Sequence, residues 1–285
     1  MCGIVGAIAQ RPVSAILLEG LKRLEYRGYD SAGIAVLDAA GRLNRVRTLG
    51  KGSMLDAAIK ANPIEGFLGI AHTRWATHGE PSAENAHPHL SGERCAIVHN
   101  GIIENHAQLR REQRAAGHTF TSQTDTEVVV HAVHDELTAG HSLTDAVRRT
   151  TARLEGAFAL GVIDSQDPER LVAARQGSPL VIGVGFQEYF IGSDVFALLP
   201  VTNRFIFLEE GDLAELRRDG LHIWDADGQA VQRPIRESSV AADSAERGEY
   251  RHFMLKEIFE QPRAVADTLE GRLGANRVLP EAFGL

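Results

Sequence analysis

The second residue carries the most pointed chemistry in the chain. Met1-Cys2-Gly3-Ile4-Val5-Gly6 sets a thiol directly behind the initiator methionine, at a position small enough for that methionine to be removed. A free α-amino group titrates near ~7.7–8.0 and a thiol near ~8.5, so a terminal cysteine can supply nucleophile and proton acceptor from one residue. Threonine hydroxyls are activated by their own terminal amine in the same way. From the dipeptide alone, a small apolar residue opening a strand is the favoured reading of Cys2. Other residues add chemistry that the bland reading leaves unused. Arg74 offers a guanidinium for an α-carboxylate and Asp125 a carboxylate for an ammonium, the two groups a zwitterionic amino acid needs. Acyl transfer from a side-chain amide also needs donors aimed at a developing oxyanion. Asn100 can offer its amide NH2, and Gly101 an unencumbered backbone N–H.

These residues need elements to hold them. Residues 3–9 read as a short buried strand behind Cys2. Pro12 suits the first turn of a helix, and Val13, Ile16, Leu17, Leu21 and Leu24 give that helix one apolar face. Residues 33–37 and 43–48 are strand-like around a turn at 38–41, and a short helix runs from 52 to about 61 before Pro63. A strand at 67–71 delivers His72 to Gly79, after which Pro81 and Pro88 mark a long irregular loop. Residues 94–99 return as a strand ending at Asn100-Gly101, and a polar helix is expected from about 104 to 115. Thr124-Asp125-Thr126-Glu127 has the form of a capping box, with Thr124 as N-cap and Glu127 three residues on, so Asp125 falls at a helix start. Ser142-Leu143-Thr144-Asp145 starts a second helix. Residues 156–224 are mostly strands. Paired helices between two blocks of strands imply two sheets sandwiched by helices.

Composition narrows the function classes. A chain of 285 residues, 44% hydrophobic and 24% charged, is ordinary for a soluble globular protein. Its net charge of −8 and lack of a Lys/Arg run argue against nucleic acid or an anionic membrane as the main partner. Of its two cysteines, Cys95 lies in an apolar stretch, so no disulfide framework is indicated and reducing cytoplasm is the expected compartment. No secretory signal or apolar run of membrane-spanning length is visible.

Five stretches in order carry a specific resemblance: Cys2 to Gly6, Arg27-Gly28-Tyr29-Asp30-Ser31-Ala32-Gly33, His72 to Gly79, His99-Asn100-Gly101, and Thr124 to Glu127. Together they resemble the glutaminase (type 2 glutamine amidotransferase) domain of the glucosamine-6-phosphate synthase family, the isomerizing glutamine:fructose-6-phosphate aminotransferases. The resemblance implies an α+β fold, the four-layer αββα sandwich of the N-terminal-nucleophile hydrolases. It implies that Cys2 attacks the glutamine δ-amide to form a γ-glutamyl thioester, its freed amine serving as base. Asn100 and Gly101 would form the oxyanion hole, and Arg74 and Asp125 would hold the glutamine α-groups. Trp75, Thr77 and His78 would lie on the loop that closes over glutamine, and Arg27 would support the nucleophile's surroundings. No cofactor or metal is implied. The corresponding organisation is a glutaminase domain at 1–225, a polar linker at 226–249, and the start of a connection at 250–285 to a sugar-isomerase half absent from this sequence. Fructose 6-phosphate would then be a partner only through that half, leaving L-glutamine as substrate here. The resemblance further implies a cytoplasmic protein, dimeric when full-length and monomeric as this fragment.

Other readings compete for the same residues. The phosphoribosyl-pyrophosphate amidotransferases are expected to differ around 29–31 and 75–78. A non-catalytic glutamine-binding regulatory module would not require a nucleophile and oxyanion donors. Twelve histidines, including His87, His89, His131 and His134, invite a metal site, yet no H-E-x-x-H pattern or paired cysteines occur, and surface or loop positions are the simpler expectation. A papain-like pair would use His99 or His78 as base, and would work with Met1 retained. Gly183-Val184-Gly185 and Gly50-Lys51-Gly52-Ser53 lack the remaining residues of nucleotide-binding loops.

Overall fold

The computed structural model describes residues 2–76, 79–238, 250 and 252–269. Two antiparallel sheets form its centre. The first has eight strands in the spatial order β15 (Ile235–Glu237), β11 (Arg204–Phe207), β9 (Val181–Val184), β10 (Tyr189–Gly192), β1 (Gly3–Ile8), β4 (Leu68–Arg74), β2 (Ser31–Leu37) and β3 (Leu43–Leu49). The second has seven, in the order β14 (Ala230–Val231), β13 (Gly220–Trp224), β12 (Leu213–Arg217), β8 (Asp167–Gln176), β7 (Gly156–Asp164), β6 (Cys95–Ile103) and β5 (His89–Ser91).

Side chains alternate between the faces of a strand, and in this protein both faces are buried. Ile4 and Ile8 of β1, Leu68 and Ile70 of β4, and Ala96 and Val98 of β6 share one apolar core between the sheets. The opposite faces are covered by helices. Val5 and Ala7 pack with Leu17 and Leu21 of α1 (Ser14–Arg23) and Leu55 of α2 (Gly52–Ala61). Ile97 and Val162 pack with Leu109 of α3 (His106–Ala115), Val129 and Val133 of α4 (Thr126–Thr138), and Val147 of α5 (Leu143–Thr151). The layers therefore run helix, sheet, sheet, helix, as expected for an α+β sandwich.

Three local expectations are corrected. Thr124 does not cap α4. Asp125 occupies the N-cap position, and the Glu127 carboxylate turns upstream to accept the backbone N–H groups of Thr121 (2.8 Å) and Ser122 (2.7 Å). The acidic side chain thus satisfies the incoming chain, not the helix end. The expected linker at 226 begins too early, because β14 pairs with β13 and β15 with β11, edge strands of only two and three residues set in a polar stretch. Pro12 precedes α1, whose N-cap is Val13. Ser142, by contrast, does cap α5, accepting the Asp145 N–H at 3.2 Å.

The compact unit spans Met1–Ala242, and a second unit spans Asp243–Leu285. Within the second, α6 (Phe253–Leu269) contains Pro262, and Tyr250 stacks on Phe259 with ring centres 5.7 Å apart. No helix among the described residues is long and apolar enough to cross a membrane.

Ile70 is fully buried between the sheets, whereas Phe186 is 89% exposed. Ile70→Ala is expected to lower the unfolding free energy by about 2–5 kcal/mol, and Phe186→Ala to shift it by no more than about 0.5 kcal/mol, both read from urea denaturation.

Candidate active site

The two-residue period that builds the inter-sheet core also builds the site. Continuing each inward face past its last apolar residue gives Cys2 before Ile4, His72 and Arg74 after Ile70, and Asn100 after Val98. The strand register brings them to one end of the sandwich. Gly3 pairs with Thr73 and Ile4 with His72 across β1 and β4, so Cys2 and Arg74 follow one residue beyond. The Asn100 side-chain NH2 crosses between the sheets and donates to the Cys2 carbonyl at 3.2 Å.

Cys2 is held by the first residue after β4. Its Sγ accepts the Trp75 N–H at 3.3 Å and points its own hydrogen at the Trp75 carbonyl at 3.5 Å. Burial pushes the thiol above its ordinary value, opposed by the Trp75 N–H and the Arg74 charge. The resting sulfur is therefore a thiol that needs a base. The Trp75 side chain is exposed, while Ala76 donates its N–H to Asp30 Oδ2. Asp30 is fixed in turn by the Ser31 hydroxyl at 2.9 Å and donates its own N–H to the Arg74 carbonyl at 2.9 Å.

Cys2, Arg74, Trp75, His87, His99, Gly101, Thr124, Asp125 and Thr126 line one pocket. Arg74 is buried and donates to the backbone carbonyls of Glu80 and Gly79, each at 3.2 Å. Asp125 accepts the Ile103 N–H at 2.8 Å, which ties the carboxylate to the strand carrying Asn100 and Gly101. Gly101 adopts φ +134°, and a Cβ there would lie 1.9 Å from the Ala157 carbonyl oxygen, so only glycine fits. Arg27 lies on a short 3-10 turn and donates to the Ser193 carbonyl at 3.1 Å, while Ser193 Oγ accepts the Ile4 N–H at 3.1 Å. Ser193 thus links Arg27 to β1. Thr77 and His78 lie outside the described residues.

The histidines meet the expectation of surface or loop positions only in part. His72, His87, His89, His99 and His131 are all buried. His87 Nε2 and His99 Nδ1 both bond Thr126 Oγ1, at 2.9 and 2.8 Å, and His89 Nε2 bonds Thr124 Oγ1 at 3.0 Å. The His72 and His87 rings stack at 4.2 Å. The segment bearing His87 is clamped by two arginines of β3: Arg47 donates to the carbonyls of Glu84 and Ala86, and Arg45 to that of Pro88. It also lies hard against β2, where a Cβ on Gly33 would meet the His87 carbonyl oxygen at 2.2 Å. Among the described residues, no three His, Cys, Asp or Glu side chains are arranged to hold a metal ion.

Residues 72–200 match the glutamine amidotransferase domain family. The chain is 59% identical over 284 residues to a Pseudomonas putida protein named glutamine–fructose-6-phosphate aminotransferase (isomerizing), covering 100% of this chain and 46% of that protein. The Escherichia coli K12 protein of the same name is 58% identical over 278 residues, covering 98% and 46%. The chain carries a glutamine amidotransferase domain. It spans about half the length of these curated relatives. Among solved structures, the amidotransferase domain superposes on the Bacillus subtilis glutamine phosphoribosylpyrophosphate amidotransferase with a TM-score of 0.69 at 25% identity, over 80% of this chain and 50% of that one. A glutamine aminotransferase class-II domain protein of Silicibacter pomeroyi shares the fold, with a TM-score of 0.54 at 20% identity over 79% of this chain and 99% of that one. The sandwich is thus of the N-terminal-nucleophile type. The much higher identity to the fructose-6-phosphate enzymes separates this amidotransferase domain from the phosphoribosylpyrophosphate branch.

Sequence reasoning on single residues missed His72, Asp30, His87 and Thr126. His72, Asp30 and Thr126 stand inside quoted motifs, and His72 shares Arg74's face two residues away, which was the available signal; His87 lies in the loop past Gly79, outside all five.

The buried histidines set a pH dependence for the amidotransferase domain. Burial pushes the His72 and His89 rings down from 6.5 to about 3. The folded state holds them neutral while the unfolded chain takes up their protons first, so stability is full above pH 6.5 and is lost as pH falls from there toward 3. Lowering the pH from about 7 to about 5 is expected to reduce the urea midpoint, each such histidine contributing up to about 1.4 kcal/mol per pH unit. The slope should be shallower in His89→Gln.

Proposed function

We propose that this domain hydrolyses the side-chain amide of L-glutamine through a thioester on Cys2, and that in the complete protein the ammonia is used to aminate fructose 6-phosphate. The observation that carries the reading is the convergence, at one end of the two sheets, of the Cys2 thiol with the Asn100 amide, the Gly101 backbone, the Arg74 guanidinium and the Asp125 carboxylate. The acceptor follows from the name shared by the full-length relatives. For a biosynthetic role of this kind we also propose a cytoplasmic location.

With Met1 removed, the Cys2 amine takes the thiol proton as Sγ attacks the glutamine δ-carbon. The C=O electrons move onto oxygen, and the oxyanion is stabilised by the Asn100 NH2 and the Gly101 N–H. Collapse breaks the C–N bond, and the ammonium formed on Cys2 returns its proton to the departing nitrogen, giving ammonia and the thioester. A water molecule then loses a proton to the same amine as it attacks the thioester, and glutamate leaves with the thiol restored. Arg74 pairs with the substrate α-carboxylate and Asp125 with its ammonium. Trp75, Thr77 and His78 belong to the segment that covers the substrate and shields the thioester from untimely hydrolysis. Arg27 braces the loop under β1. We assign the glutaminase body to residues 1–242, and the remainder to the connection with the acceptor-binding half.

Intact mass and ammonia release measured on one purified sample test the base. Turnover should accompany loss of Met1. Undiminished turnover with Met1 retained would remove the amine from the mechanism and bring a histidine base forward. Cys2→Ala should abolish hydrolysis while leaving glutamine binding nearly intact by calorimetry. Asn100→Ala should lower kcat by ~10²–10³. A change confined to KM would instead make Asn100 a substrate-positioning residue.

A further inference from the structure

The Asn100 amide can face two ways, and only one of them presents a donor to the nucleophile. Its NH2 lies 3.2 Å from the Cys2 carbonyl oxygen, and its Oδ1 lies 3.0 Å from His72 Nε2. The same ring nitrogen is 3.0 Å from the His99 carbonyl oxygen, which can only accept. His72 Nε2 must therefore carry a hydrogen, shared between the His99 carbonyl and Asn100 Oδ1. Turning the amide over would set Oδ1 against the Cys2 carbonyl and an N–H against the His72 N–H, costing two bonds at once.

His72 is suited to this task because it has no freedom of its own. Its backbone sits in the middle of the first sheet, paired with Ile4 on one side and Gly33 on the other. Its ring is fully buried and stacked against His87. Burial pushes its pKa down to about 3, so at neutral pH the ring stays neutral with its hydrogen on Nε2.

We infer that His72 is a positioning residue for the reaction: its Nε2–H fixes the facing of the Asn100 amide, so that the NH2 is aimed at the oxyanion before substrate arrives. The inference rests on the reading of Asn100 as an oxyanion donor given above. It deepens that reading, because a donor free to rotate would first have to be reoriented in each turnover. His72 itself touches neither the sulfur nor, in this reading, the substrate.

A double-mutant cycle on the chain with Met1 removed tests it, following ammonia release. His72→Leu should lower kcat by roughly ten-fold or more, up to the ~10²–10³ lost with the donor itself, and leave KM for glutamine little changed. In an Asn100→Ala background the same substitution should cost nothing further, because the group it orients is gone. His72→Gln places an amide N–H near the position of Nε2 and should restore most of kcat. The rate of Cys2 alkylation by iodoacetamide should be unchanged in both. If His72→Leu does not fold, His72→Asn takes its place, since the shorter amide does not reach Asn100. A loss of kcat that is as large in the Asn100→Ala background as in the parent chain overturns the positioning role alone. An unchanged kcat in Asn100→Ala sinks the oxyanion reading and the positioning role together.

Discussion

The two-residue period of the β-strand is the constraint on which the rest depends. Along β1, β4 and β6 the inward positions are apolar in the middle, Ile4 and Ile8, Leu68 and Ile70, Ala96 and Val98, and they give way to Cys2, His72 and Arg74, and Asn100 at one end. The same stacking that removes the first set from water fixes the second set in space. Among the described residues, helices supply no reacting group; α4 contributes through its first turn, where Asp125 and Thr126 reach the pocket. Rigid elements are the better supports for a site that must hold donors within a fraction of an ångström.

Around the reacting residues lies a polar layer that would be expensive if incomplete. Thr126 Oγ1 joins two histidine rings, Thr124 a third, and Glu127 gathers Ser122 and Thr121. All of these groups except Thr121 are buried, so their bonds are worth more than at a surface and their loss costs more. Arg45 and Arg47 extend the layer to the segment at 84–88 by seizing its backbone carbonyls. Most polar side chains lining the pocket are thus held by partners of their own, although His87 Nδ1 is buried with none among the described residues; donors held in this way need not reorganise during a reaction.

Much of this was legible in the sequence, for reasons that can be stated residue by residue. The buried strands announced themselves as apolar runs, and Ser142 with Asp145 announced α5. Four of the five motifs contain every residue that lines the pocket except His87. What escaped was whatever depended on partners far away in the chain. Thr124-Asp125-Thr126-Glu127 has the form of a capping box, but Glu127 is claimed by Thr121 and Ser122. β14 and β15 are too short to show a period, and exist because β13 and β11 offer them an edge. The histidines were misread for a related reason. A polar ring looks solvated until the hydroxyl or carbonyl that satisfies it is known, and Thr126 lies 39 residues from His87.

The Gly33 contact and the strand register together limit how a gene for this domain can change length. Deleting or inserting one codon within β1, β4 or β6 would turn every residue beyond it to the other face, exchanging His72 for Thr73 or Asn100 for His99. The core would be lost with the site, since both ride on the same alternation. Length variation is therefore confined to the connections, such as the turn between β2 and β3 or that between β7 and β8, where an added residue leaves the alternation of every strand intact.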